Sequence, residues 1–205
     1  ENKEHIMDEM YRRMDELLGR VRNTMDRDSI LLVVSDHGFK PFDYGVNLNW
    51  WLVQNGYLAL KDENGDVEDA YFKRIDWSRT RAYSFGFAGI YLNKKGREGT
   101  GLVDPAEAPV LCREIGAGLL AMADESRNVK PVQNVYENRT SYSGPYIENG
   151  PDLIVGFRTG YRVSWENVIG GIGDGLVTPN DRQWSGDHCM DPASVPGVLL
   201  CNRPV

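Results

Sequence analysis

Apolar residues recur every three to four positions near the start of the chain: Ile6, Met7, Met10, Met14, Leu17, Leu18, Val21 and Met25, with acids and bases between them. That period predicts an amphipathic helix, and a methionine-rich stripe of this kind is expected to pack on a core. A short polar turn, Asp26-Arg27-Asp28, leads into the unbroken apolar run Ile30, Leu31, Leu32, Val33, Val34. Such a run predicts a strand buried on both faces, as in the centre of a parallel sheet. Helix, short turn and buried strand together predict an α/β fold: a mixed, mostly parallel sheet flanked by helices.

Further along, the pattern predicts a second helix over 47–55, stopped by Gly56, and a short strand over 57–60. Residues 61–69 form a charged stretch containing Asn64-Gly65, a hairpin dipeptide. Alternating or apolar, aromatic-rich runs predict strands over 81–85 and 89–93. Asp104-Pro105-Ala106-Glu107 has the form of a helix start, and the apolar period carries that helix to about residue 124. Strands are predicted over 132–137, 152–157, 161–165 and 198–201, with a mobile glycine-rich loop over 170–175. The region 62–150 is expected to be a small β-rich insert or cap. The chain opens inside a helical pattern without an initiator methionine and stops after a strand-like run. The expectation is therefore one domain over 1–205 that is a portion of something longer.

Composition narrows the function. The chain has 205 residues and a formal net charge of −7, which gives no electrostatic footprint for a nucleic acid polymer. No stretch is long or apolar enough for a membrane span, and no secretory leader is recognisable. Cys112, Cys189 and Cys201 are odd in number and lack paired metal spacing, so free thiols and a cytoplasmic setting are expected. Asn138-Arg139-Thr140 fits a glycosylation tripeptide that arises readily by chance.

The chemistry concentrates at two places. Ser35-Asp36-His37-Gly38 follows the aliphatic run directly, and ligands in α/β sheets gather at the carboxyl ends of strands. A carboxylate and an imidazole delivered together there make Asp36 and His37 candidate metal ligands. The second place is Trp184-Ser185-Gly186-Asp187-His188. Alone, Asp187-His188 reads as a surface dipeptide; beside the first pair, His188 becomes a third candidate ligand, because a ligating imidazole wants an acceptor on its other nitrogen. His5, the remaining histidine, falls on a charged helix face and reads as solvated. Cys189 adjoins His188 and reads as a plain thiol.

Val33-Val34-Ser35-Asp36-His37-Gly38-Phe39 resembles the metal-binding motif of the alkaline phosphatase superfamily, and most closely its type I phosphodiesterase/nucleotide pyrophosphatase branch, including predicted phosphohydrolases and phosphomutases. Met14 to Gly19 resembles the helix that precedes this motif, and Gly89 to Asn93 with Gly96-Arg97-Glu98 and Gly101, Pro151 to Gly156, and Ser185-Gly186-Asp187-His188 resemble later parts of the same pattern. The resemblance implies the carboxyl-terminal portion of an alkaline-phosphatase-like catalytic domain and a small phosphate ester or phosphodiester as substrate. It also implies two divalent metal ions, zinc or alternatively manganese. Asp36 and His37 would hold the ion that also carries the nucleophile, and His188 would hold the other. The nucleophilic Thr or Ser and the remaining ligands are expected outside this chain; Glu1 to His5 only imitates the missing Asp-x-x-x-His segment. No catalytic residue is therefore assigned here, and weak, single-metal binding with negligible turnover is expected of the chain by itself. Two alternatives stay open: phosphomutase or sulfatase chemistry within the superfamily, and a non-catalytic metal-binding or interaction module. The aromatic-rich segment 136–146 is a candidate wall of the leaving-group pocket.

Overall fold

The structure is a computed structural model that describes residues 4–61 and 69–204. It divides into two compact units, one made of Glu1–Asp36 with Gly197–Val205 and the other of His37–Pro196.

In the first unit the predicted helix is present as α1, Glu4–Thr24. The apolar run yields only a short strand, β1 (Leu32–Val34), and its partner is the chain's last strand, β10 (Leu199–Cys201). They pair antiparallel, Val33 opposite Leu200. Asn202 ties the ribbon shut, its side chain accepting from the Leu31 N–H at 3.0 Å and donating to the Ser29 carbonyl at 3.2 Å. Two expectations are corrected here. The strand is neither parallel nor buried, Leu32 being 55% and Val34 64% exposed, and the α1 stripe is exposed too, Met7 at 61%. Hydrophobic periodicity shows which face favours burial; it does not supply the covering layer or the direction of pairing.

The second unit is built on a strand that the pattern does not predict, β2 (Lys40–Val46). Pro41 and Gly45 disguise it, since both are poor strand formers. The other elements of this unit, in chain order, are α2 (Leu48–Gln54), β3 (Ala82–Phe85), β4 (Gly89–Leu92), α3 (Ala108–Ala121), β5 (Val132–Glu137), α4 (Asn138–Ser141), β6 (Leu153–Phe157), β7 (Gly160–Val163), α5 (Trp165–Val168), β8 (Val177–Pro179) and β9 (Gly186–Asp187). β2 pairs parallel with β7 and antiparallel with β8 and β9, which makes one mixed sheet. A second, antiparallel sheet has the order β3-β4-β6-β5, and α3 packs on β5. Leu111, Ile115 and Leu119, four residues apart on one face of α3, are buried there. The fold is thus α/β, with the parallel pairing carried by β2 and β7. Val46, Leu52, Ile90, Leu92, Phe157 and Val163 belong to one continuous core.

Boundaries shift in ways that local chemistry explains. α2 ends as predicted, with Gly56 at φ +74° just beyond it. Residues 57–60 form no strand, because the N–H groups of Tyr57 and Leu58 turn back to the Leu52 carbonyl. α3 begins at Ala108 rather than at the Asp-Pro pair: the Asp104 carbonyl closes a turn with Glu107 and Ala108, and the Asp104 side chain binds Lys95. β7 ends at Val163, and Ser164 caps α5 by accepting from the Asn167 N–H at 3.1 Å. The Asn64-Gly65 hairpin lies outside the described residues.

The glycine-rich loop is pinned rather than loose. The Asp69 carboxylate accepts from the N–H groups of Ile172 and Gly173 at 2.8–3.0 Å, and Asn49 donates to the Gly171 carbonyl at 2.9 Å. A Cβ at Gly171 would lie 2.6 Å from the Asp69 carbonyl, so glycine here serves close backbone approach. Asn138, of the glycosylation tripeptide, is buried and donates to the Ile147 and Pro151 carbonyls. Among the described residues no helix is long and apolar enough to cross a membrane.

Candidate metal centre

The unpredicted β2 assembles the site. His37 and Phe39 lie just before it, and β9 is laid along its first residues, Lys40 opposite Asp187 and Pro41 opposite Gly186. The Phe42 N–H extends the pairing by donating to the Ser185 carbonyl at 2.8 Å. This register carries His188, which follows β9, to the residues that precede β2. The two imidazoles stack, with ring centroids 3.8 Å apart and planes 9° from parallel. Phe39 meets both edge-on, at 5.3 Å from His37 and 5.9 Å from His188. Phe87 lies 6.3 Å from His188. Behind His37 the Gly38 N–H donates to the Val195 carbonyl at 3.0 Å, and a Cβ at Gly38 would come 3.1 Å from the Pro196 carbonyl oxygen. The turn is therefore held close to its neighbour.

Each ring has an acceptor beside its Nδ1. For His37 it is the Gly38 carbonyl oxygen at 3.0 Å. For His188 it is Oδ1 of Asp187 at 3.3 Å. Oxygens of this kind only accept, so the Nδ1–H tautomer is favoured in both rings and the lone pair resides on Nε2. That is the form in which histidine ligates a metal, with the other nitrogen held by a carbonyl or carboxylate.

Asp187 is 7% exposed and already occupied. Its Oδ1 accepts from the N–H groups of His188 at 2.6 Å and Cys189 at 3.2 Å, and its Oδ2 lies 3.0 Å from Nε of Arg162. Burial pushes this carboxyl up, but the His188 N–H, the Cys189 side chain and the Arg162 charge outweigh it and hold the pKa below the usual value. Arg162 is itself 2% exposed, with its guanidinium 4.0 Å from the Trp165 ring and 5.2 Å from that of Phe42. Cys189 is pushed up to about 12, first by burial and then by Asp187.

The donor set can now be tested against a metal. Ligand atoms of Asp187, His188 and Cys189 lie within 4.8 Å of one another. Only His188 of the three offers a ready donor, because Cys189 stays a thiol and Asp187 is engaged by two N–H groups and a guanidinium. His37 and His188 are brought side by side, their ring centroids 3.8 Å apart. Asp36 belongs to the first unit, whereas His37 and His188 belong to the second. His5 is exposed on α1, as expected. All three cysteines are free thiols.

A cavity of about 350 Å³ lies elsewhere in the second unit, lined in part by Lys94, Arg97, Asn138, Arg139, Glu148 and Asp152. Within it Asp152 holds both Lys94 and Arg97 at 2.8 Å, and Glu148 holds Arg139 at 3.0 Å. Glu137, Asn138 and Arg139 of the aromatic-rich segment line this cavity, and the Tyr136 hydroxyl donates to Asp191.

Sequence reasoning missed Arg162, Phe39 and Phe87 as parts of this arrangement. A lone arginine within the apolar run Tyr161–Val163 was a usable signal, since a base in a buried strand demands a buried acid. Nothing local marked Phe87.

Comparison with known proteins gives one match. The family model for type I phosphodiesterase / nucleotide pyrophosphatase fits residues 2–185, a span that takes in Asp36 and His37 and stops three residues short of His188. No curated protein and no solved structure matches the chain.

Proposed function

Since this chain belongs to the type I phosphodiesterase/nucleotide pyrophosphatase family, we propose that it supplies part of a two-metal centre for phosphoric ester hydrolysis, in which His37 and His188 each hold one divalent ion. The observation that carries this reading is the parallel stack. An imidazole binds a metal in its own ring plane at about 2.0–2.1 Å. Two planes 9° from parallel, with centroids 3.8 Å apart, share no point that meets this condition for both rings. They suit two neighbouring ions instead, and ions in two-metal sites stand about 3.5–4 Å apart. Asp36 is assigned as a further ligand beside His37 on the sequence motif alone. Zinc suits a histidine–carboxylate site with open positions, and manganese is the alternative.

Divalent ions held there would neutralise the phosphoryl oxygens during an in-line displacement at a small phosphate ester or phosphodiester. The chain's own contribution is orientation. The Gly38 carbonyl and Asp187 keep each ring proton on Nδ1, and the β2–β9 ladder keeps the rings side by side. Phe39 stands edge-on to both imidazoles, and Phe87 lies beside His188. The reading assigns no nucleophile to these residues, so the chain alone is expected to bind zinc weakly and to hydrolyse a chromogenic phosphodiester negligibly.

Calorimetric zinc titration tests the two-ion assignment. His37→Ala and His188→Ala are each expected to remove part of the zinc uptake, and the double substitution all of it. If either single change abolished uptake, one shared ion would replace two. Uptake untouched by both would leave a non-catalytic module whose Asp-His pairs are structural.

A further inference from the structure

We infer that Arg162 is a positioning residue for His188, acting through Asp187: the buried guanidinium fixes the carboxylate, and the carboxylate fixes the tautomer and direction of the ring. This goes one layer beyond the metal reading and rests on it only where metal affinity is the readout.

The chain of contacts is short. Nε of Arg162 stands 3.0 Å from Oδ2 of Asp187, and Oδ1 of the same carboxylate stands 3.3 Å from Nδ1 of His188. The guanidinium cannot drift, because β7 carries it and the rings of Trp165 and Phe42 lie 4.0 and 5.2 Å from it. Neither Nε nor Nη1 has a hydrogen-bond partner in the structure. The Asp187 contact is therefore a charge pairing, and Asp187 is the carboxylate that the salt bridges assign to this base. Buried pairs of this kind add little net stability, because desolvation consumes the Coulombic gain. What such a pair does supply is direction. With one oxygen drawn to Arg162, the other is left facing two backbone N–H groups and the imidazole. For His37 the oxygen beside Nδ1 is the adjacent Gly38 carbonyl. The neighbours of the two Nδ1 atoms differ, and Arg162 reaches Asp187 beside His188, so His37 serves as the internal reference in the test.

The test is ¹⁵N-resolved NMR of the histidine rings in the metal-free chain, above the ordinary imidazole titration range. In the unaltered protein both His37 and His188 should show a protonated Nδ1. In Arg162→Gln, His188 should move to a mixture of tautomers while His37 stays as it was. Arg162→Lys keeps the charge but not the planar fork and should fall between the two. Zinc affinity at His188 should drop about 10- to 100-fold in Arg162→Gln, the usual loss when a ligand's supporting partner is removed. Circular dichroism checks folding; should Arg162→Gln not fold, Arg162→Lys carries the same readout, and a His188 tautomer unchanged in it overturns the inference. An unchanged His188 tautomer in a folded variant overturns the inference, and so does an equal change in both rings, which would mark a merely structural role. If His188→Ala leaves zinc uptake intact while the tautomer shift occurs, the metal reading fails and the positioning role stands.

Discussion

Replacing Asn49 with leucine is expected to lower the stability of the second unit by about 3–5 kcal/mol, among the larger losses a single substitution causes. Asn49 is fully buried on α2 and satisfies groups from two other segments. Its side-chain oxygen accepts from the Ser84 N–H at 2.7 Å, and its amide donates to the carbonyls of Ser84 and Gly171, both at 2.9 Å. Asn167 continues the network, accepting from the Asn49 N–H at 3.1 Å and donating to the Ser84 hydroxyl at 2.9 Å. Leucine matches the volume but leaves those three backbone groups without partners in a place water does not reach. Each such orphan costs about 1–3 kcal/mol. Denaturant unfolding followed by tryptophan fluorescence would measure the change, and a loss below about 1 kcal/mol would mean that the network is not closed as described.

Arg162→Met is expected to cost a similar amount, about 3–5 kcal/mol, because it leaves the Asp187 carboxylate buried without its counter-charge. Adding Asp187→Asn should restore most of the loss, since asparagine keeps an oxygen for the His188 and Cys189 N–H groups and carries no charge. The pH dependence follows from the lowered pKa of Asp187. A carboxyl lowered on folding contributes stability above its unfolded value, about 3.9, and loses that contribution as pH falls through the folded value. The gap between the unaltered protein and Arg162→Met should therefore be full near neutral pH and close from about pH 4 downward. Urea midpoints across that range read the effect directly, and a gap independent of pH would show that the arginine contributes packing alone.

The α/β class, α1, the β3–β4 hairpin, β5 and β6 were legible because their side chains follow a helical or alternating period that local chemistry reinforces. β2 was not. Its sequence Lys-Pro-Phe-Asp-Tyr-Gly-Val has a proline and a glycine where strands avoid them, and its three partners β7, β8 and β9 all lie far along the chain. Pairing at that range leaves no mark in the strand itself. The same cause hid the site. His37 and His188 could each be singled out from a neighbouring aspartate, but the β2–β9 register that stacks them is a tertiary fact. Arg162 was concealed in the same way, since its acid is supplied by a strand distant in sequence. The buried parallel strand was misjudged for the opposite reason: the apolar run around Leu32 was read as evidence of a particular neighbourhood, and it is evidence only of a preference.

The central claim is that two imidazoles from distant parts of the chain stand together with their Nε2 atoms ready for metal. Zinc titration observed at the histidine ¹⁵N resonances tests it most directly, because the chain has only three histidines and His5, exposed on α1, is an internal control. The account predicts that Nε2 of both His37 and His188 shifts on zinc addition, that Nδ1 of each stays protonated, and that His5 does not respond at stoichiometric metal. Zinc that shifts neither ring, or that binds through Nδ1, would contradict it.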